Sequence, residues 1–230
     1  MVATELSEGL YRLGLGRYQA YLWRDGDRAT LVDTGEVGSG ALIVAALAEI
    51  GLSPDALERV VLTHFHDDHA GSAAEIAAFG VPVVAHAADA PVLRGEVPGP
   101  PPDFTPFERE LHARTAAGLR PAPPVAVDVE VADGDVLDFG GGARVVSVPG
   151  HTDGSIALHL PEHGVLFTGD LIAEYEGEII PGVFNLDAAE AARSFRKLAA
   201  LRPTTACFGH GEPAIGNADA LIGARAEALA

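Results

Sequence analysis

Lysine is nearly absent from this chain. Lys197 is the only one, and 15 Lys and Arg face 33 Asp and Glu, a formal charge of −18. A surface of that sign repels phosphate backbones and anionic lipid head groups, and no run of Lys and Arg interrupts it. Nucleic acid and membrane are therefore not expected partners. Cysteine is as scarce: the single Cys207 cannot form an internal disulfide, and in T-A-C-F-G it reads as a small apolar residue on a buried strand, consistent with a reducing compartment. Long apolar runs are missing too, since no stretch reaches the roughly 18 consecutive apolar residues of a membrane helix. The opening M-V-A-T-E-L-S-E-G-L has neither a basic start nor an apolar core, so a cytoplasmic location is expected. The composition does supply a core, with 48% hydrophobic residues over 230 positions.

Apolar patterning predicts an α/β fold. Strands are expected at Leu10–Leu13, Tyr18–Arg24 and Ala29–Asp33, with a hairpin turn at Asp25-Gly26. A helix follows from about Ser39 to Ile50, with Leu42, Ala45, Ala46 and Ile50 on one face. The V-V-L run before Thr63 suits a buried strand, and a helix over Ala70–Phe79 and a strand over Val81–Ala85 continue the alternation. Eight of the 16 prolines then fall between Pro98 and Pro124, around a helical pattern at Phe107–Leu119. This stretch reads as an insertion, at about residues 95–124, in one domain spanning residues 1–230. A linker between two domains would separate ligand candidates that must meet in one site. Strands resume from Val125 to Thr168, Leu171–Leu186 reads as a loop, and helices surround a last strand at Thr205–Phe208.

The chemistry concentrates in His64-Phe65-His66-Asp67-Asp68-His69, directly after an apolar strand. On an extended chain, residues two apart share a face, so His64 and His66 can converge on one ion. Asp68 and His69 turn onto the next helix, toward a second ion. Three later segments repeat one arrangement, a β-rich run and then a ligand-type residue beside glycine: V-P-G-His151, F-T-G-Asp170 and F-G-His210-G. Glycine permits the sharp turns that aim such side chains. His86, His159 and His163 read as structural or surface residues. His112, in the insertion, and Tyr175, after Asp170, are candidate substrate contacts.

Together these segments resemble the metallo-β-lactamase superfamily, close to its glyoxalase II and lactonase-like branches, over nearly the whole chain except the proline-rich insertion. The resemblance implies a four-layer αββα sandwich with the metals at one end, between the sheets. It implies that His64, His66 and His151 bind a first metal, that Asp68, His69 and His210 bind a second, and that Asp170 bridges them. Asp33, in V-D-T-G, would orient the ligand loop without binding metal. The implied activity is hydrolysis of a small ester, thioester, lactone or amide by a hydroxide held between two divalent ions, with Asp68 orienting it and carrying a proton. Zinc is the expected metal, and the donor set also accepts iron or manganese. A small-molecule substrate is the expected partner; the oligomeric state is left open.

Two alternatives stand beside this. A mononuclear iron oxygenase of sulfur compounds would use His64, His151 and Asp170 alone, and a regulatory protein could retain the metal site without turnover. The sequence also departs from both branches. L-I-A-E-Y-E follows Asp170 where glyoxalase II has a glycine-cysteine-glycine-arginine stretch, and Ala173 stands where lactonases carry a tyrosine.

Overall fold

The computed structural model describes residues 2–229. Its first half builds a seven-stranded sheet from β1 (Ala3–Ser7), β2 (Leu10–Leu15), β3 (Tyr18–Asp25), β4 (Arg28–Val32), β5 (Leu57–Val61), β6 (Val83–His86) and β7 (Val129–Val131), in that order across the sheet. β1 to β4 form an antiparallel meander, whereas β4 to β7 run parallel. Parallel neighbours need crossovers. Helices supply them: α1 (Gly40–Glu49), α2 (Asp67–Ala70), α3 (Ala73–Ala77), α4 (Ala90–Leu93) and α5 (Pro106–Thr115).

The second half builds a six-stranded sheet from β8 (Val136–Leu137), β9 (Ala143–Ser147), β10 (Ile156–Leu160), β11 (Val165–Gly169), β14 (Thr205–Phe208) and β15 (Ala214–Ile215), in the order β15-β14-β11-β10-β9-β8. A separate hairpin, β12 (Ile172–Tyr175) and β13 (Glu178–Pro181), and α6 (Ala188–Ala199) lie between β11 and β14. α7 (Ala218–Ala228) follows β15.

Side-chain alternation along the strands sorts the apolar residues into three cores. On β3, Tyr21 and Trp23 face one way and Ala20 and Leu22 the other; on β11, Val165 and Phe167 oppose Leu166. The central core holds Val32, Val61 and Val84 of the first sheet against Val145, Leu158, Phe167 and Cys207 of the second. The outer cores join Ile43, Leu47 and Ile76 to the first sheet, and Phe195, Leu198 and Ile222 to the second. Three apolar interfaces make four layers, αββα.

Local expectations were corrected in three places. α1 buries Gly40, Ile43, Ala46 and Leu47, while Leu42 faces outward. The helix G-A-L-I-V-A-A-L-A-E is apolar almost all round, so the sheet selects the face that periodicity leaves ambiguous. The helix expected at Ala70–Phe79 is broken at Gly71 and Ser72, and the loop expected at Leu171–Leu186 contains the β12–β13 hairpin.

The proline-rich stretch contributes α5, which buries no residue. Thr105 and Glu108 close a capping box at its start. Glu108 Oε1 accepts from the Phe184 amide at 3.0 Å, and the Asp103 amide donates to Asn185 O at 3.0 Å. Farther on, the Ala122 amide donates to Asp67 Oδ1 at 2.7 Å. The stretch is thus tied at one end to the loop before α6 and at the other to α2.

Candidate metal centre

β5, β11 and β14, together with the β9–β10 loop, deliver the seven candidate ligands to one edge of the sandwich. His64 follows β5, and Asp68 and His69 lie on α2, which starts immediately after His66. His151 stands in the β9–β10 loop, Asp170 directly after β11, and His210 two residues after β14. Potential ligand atoms of three groups lie within 4.8 Å of one another: His64, His66 and His151; His64, His69 and Asp170; Asp68, His69 and His210. All seven sequence-derived candidates are brought together.

The contacts inside this cluster are close. His151 Nε2 lies 3.0 Å from His66 Nδ1, His69 Nε2 3.1 Å from Asp170 Oδ1, and His210 Nε2 3.3 Å from Asp68 Oδ2 and 3.2 Å from Asp170 Oδ2. Gly209 makes room for this. A Cβ there would sit 2.1 Å from Asp170 Oδ1 and 2.7 Å from His69 Cε1.

Asp33 holds the first ligands from behind, in a left-handed backbone conformation with φ 62°. As a carboxylate it only accepts, so His69 Nδ1, 2.8 Å from Oδ2, donates to it and leaves Nε2 free toward the cluster. The Thr63 hydroxyl and amide also donate to Asp33, each at 2.8 Å. The Thr63 oxygen then accepts from His64 Nδ1 at 3.0 Å, which frees His64 Nε2 in the same way. His151 Nδ1 faces Asn185 Oδ1 at 3.4 Å.

Asp89 fixes the second connection, where two ligand loops meet. Its buried carboxylate accepts from the Phe65 amide at 3.1 Å, the Thr152 hydroxyl at 2.8 Å and the Gly154 amide at 2.8 Å. It thereby joins the chain between His64 and His66 to the chain after His151. Burial raises its pKa to about 6 despite those three donors.

Electrostatics divides the histidines into two kinds. Burial, reinforced by neighbouring imidazoles, drives His64 well below the usual histidine range and His66 down to about 3, and burial lowers His151 as well. These three rings are neutral, as a metal ligand must be. Burial opposes charge on His69 too, but Asp170, Asp33 and Asp68 outweigh it and raise the pKa. Asp170 raises His210 to about 10. Burial disfavours charge on Asp170, and His210 and His69 reverse this, holding it well below the carboxylate range.

The donor set fits a metal. His64 Nε2 is buried without any hydrogen-bond partner, and His69 Nε2 and Asp170 Oδ1, though 3.1 Å apart, are not aligned for a hydrogen bond, an arrangement that is costly unless a cation satisfies it.

Thr63, Asp89 and Asn185 were not found in the sequence. Only Asp89 carried a local signal, an Asp before A-P at the start of a helix, which reads as an N-cap; its side chain makes no cap bond. The two substrate-contact candidates, His112 and Tyr175, are not among those three ligand groups. His112 packs against Phe104 and Phe184, with centroids 4.8 and 5.1 Å away, and Tyr175 is 63% exposed at the β12–β13 turn. Among the described residues, no helix is long and apolar enough to cross a membrane.

The chain is similar to known proteins. The chain is 37% identical over 186 residues to a hydroxyacylglutathione hydrolase of Cereibacter sphaeroides (strain ATCC 17023), covering 79% of this chain and 56% of that protein. It therefore spans little more than half the length of that relative. It is 30% identical over 207 residues to the Bacillus subtilis protein named "Probable metallo-hydrolase YflN", covering 81% of this chain and 76% of that one. Among solved structures, a metallo-beta-lactamase family protein from Thermus thermophilus matches with TM-score 0.71 and 25% identity, over 97% of this chain and 80% of that one. TTHA1623, solved in a di-iron-bound form, matches with TM-score 0.65 and 29% identity, over 88% and 92%. The family model for the metallo-beta-lactamase superfamily matches residues 13–210, a span running from β2 to the last of the seven clustered side chains. The chain belongs to that superfamily.

Proposed function

We propose that the chain is a hydrolase that attacks the carbonyl of a small ester, thioester, lactone or amide at a centre of two divalent cations. His64, His66 and His151 hold one, Asp68, His69 and His210 hold the other, and Asp170 lies between them. A bound pair of such cations, zinc by preference, with iron or manganese also compatible, acidifies water to hydroxide near neutral pH and polarises a carbonyl oxygen.

The chain's own groups do the rest. Asp33 and Thr63 fix the rings of His69 and His64, and Asn185 faces the back of His151. Asp68 is held as a carboxylate by His69 and His210, against the effect of burial. Its Oδ2 is the atom that orients the attacking water, takes its proton and returns it to the leaving group. Cys207 is excluded as a nucleophile: it is buried in the central core, and burial pushes its thiol far up.

The observation that carries this is that Asp68, His69 and His210 form a group of potential ligand atoms of their own, within 4.8 Å of one another and separate from the group of His64, His66 and His151. A single-ion centre using only His64, His151 and Asp170 leaves Asp68 and His210 without a part, whereas a second cation uses both. Metal analysis of the purified protein, paired with a screen of p-nitrophenyl esters, thioesters and lactones, tests the proposal. The expected result is close to two ions per chain and turnover that a chelator abolishes. Full turnover by metal-free protein, or one ion at full activity, overturns it.

A further inference from the structure

A cavity of about 380 Å³ opens beside His210, between the β2–β3 turn and the loop after β14. Arg12, Arg17, Tyr18, Gln19, His210 and Glu212 line it. His210 belongs to both the cavity and the cluster, because its Nε2 reaches Asp68 and Asp170. The Tyr18 and His210 rings meet edge to face at 6.1 Å. The Arg17 guanidinium lies 5.3 Å from the Tyr18 ring centroid and donates to its hydroxyl at 3.2 Å. An unbroken wall therefore runs from the candidate metal centre to a guanidinium.

The turn that carries Arg17 does not itself require an arginine. Leu15 pairs with Tyr18, so Gly16 and Arg17 alone make the turn. Gly16 has φ 79°, while Arg17 keeps an ordinary negative φ. A turn of this kind demands glycine in its first central place and leaves the second open. Arg17 also has no carboxylate within ion-pairing distance among the described residues, whereas Arg12, across the cavity, is neutralised by Glu212 at 2.6 Å. On a molecule of charge −18, an anion meets general repulsion, so a site that accepts one needs a free local cation.

We infer that this cavity is the subsite for an anionic end of the substrate, and that the hydrolase acts on acyl compounds carrying a carboxylate, with Arg17 as the anchoring charge. This rests on the hydrolase reading above. Guanidinium is suited to the task because its fork of N–H donors matches a carboxylate. Tyr18 supplies the apolar surface between anchor and reacting carbonyl.

The test compares mono-p-nitrophenyl glutarate with the neutral p-nitrophenyl valerate on the metal-loaded protein. The ratio of their kcat/KM values is expected to favour the glutarate. In Arg17→Met that ratio should fall at least tenfold, chiefly through KM for the glutarate. In Glu212→Gln, which frees Arg12, it should rise. An unchanged ratio in Arg17→Met overturns the inference. Should neither ester be turned over, the hydrolase reading is what fails, and calorimetric titration with glutarate decides the subsite separately. Binding that Arg17→Met weakens at least tenfold supports it, and absent or unaltered binding overturns it.

Discussion

At the scale of single residues, the centre depends on carboxylates that settle which nitrogen of each imidazole is free. Asp33 does this directly for His69 and through Thr63 for His64, so one side chain governs ligands of both proposed ions. Asp33→Asn places an amide N–H where an acceptor is needed and leaves the tautomer of His69 undetermined. We expect metal affinity to drop about 10–100-fold, the range found for such supporting partners. Competition with a chromophoric chelator measures it, and unchanged affinity would contradict the role. A pH dependence follows from His69 and His210. Without a cation both are protonated at neutral pH, since their pKa values are raised, that of His210 to about 10. Their ion pairs stabilise the metal-free fold most fully below the ordinary histidine pKa; the His210 contribution is lost as pH rises through about 10, and the His69 contribution above the usual histidine range. Metal must displace those protons, so uptake near pH 7 should release roughly two per chain, and affinity should fall as the solution is acidified. Calorimetry in buffers of differing ionisation enthalpy counts the protons; a release of none would refute the assignment.

At the scale of elements, α5 is tied down by hydrogen bonds in its first turn and by the His112 ring against Phe184. Glu108 caps the helix and also accepts from the Phe184 amide, next to Asn185 and hence to His151. Glu108→Ala removes the N3 half of the capping box while Thr105 still accepts from the amide at position 108, so it should cost the helix less than the roughly 1 kcal/mol of a lost N-cap residue, and loosen the loop before α6. Amide exchange should rise across residues 103–119 and 182–186, and the cores should stay protected, because α5 buries nothing. Uniform exchange across the chain would count against this. Elements differ in how legible they were. β14 is bounded as its apolar run suggests, with Thr205–Phe208 recovered to the residue. The β12–β13 hairpin was missed because its turn is Glu176-Gly177, with both φ values positive, 53° and 86°. Asn or Asp normally occupies the first place in such a turn. Glutamate gives no such signal, and the flanking E-Y-E and E-I-I do not alternate cleanly.

At the scale of the whole molecule, alternating strands and helices pointed to α/β, but the pairing of two sheets into αββα came from resemblance. Nothing in a run such as V-V-L tells which of two interfaces each face will meet. The seven side chains were legible one by one in their motifs, and their convergence rests on the αββα topology. The residues that act through others were not legible: Thr63, Asp89 and Asn185 owe their roles to neighbours 30 or more positions away. Long-range partners leave no local trace.

The seven donors are divided between the two halves of the chain. His64, His66, Asp68 and His69 precede the proline-rich stretch, and His151, Asp170 and His210 follow it. A single peptide-bond break among the exposed residues around α5 would leave four donors on one fragment and three on the other. Neither piece alone could complete the centre, so the cations would become the rivets of a two-part molecule, and their removal would favour its coming apart.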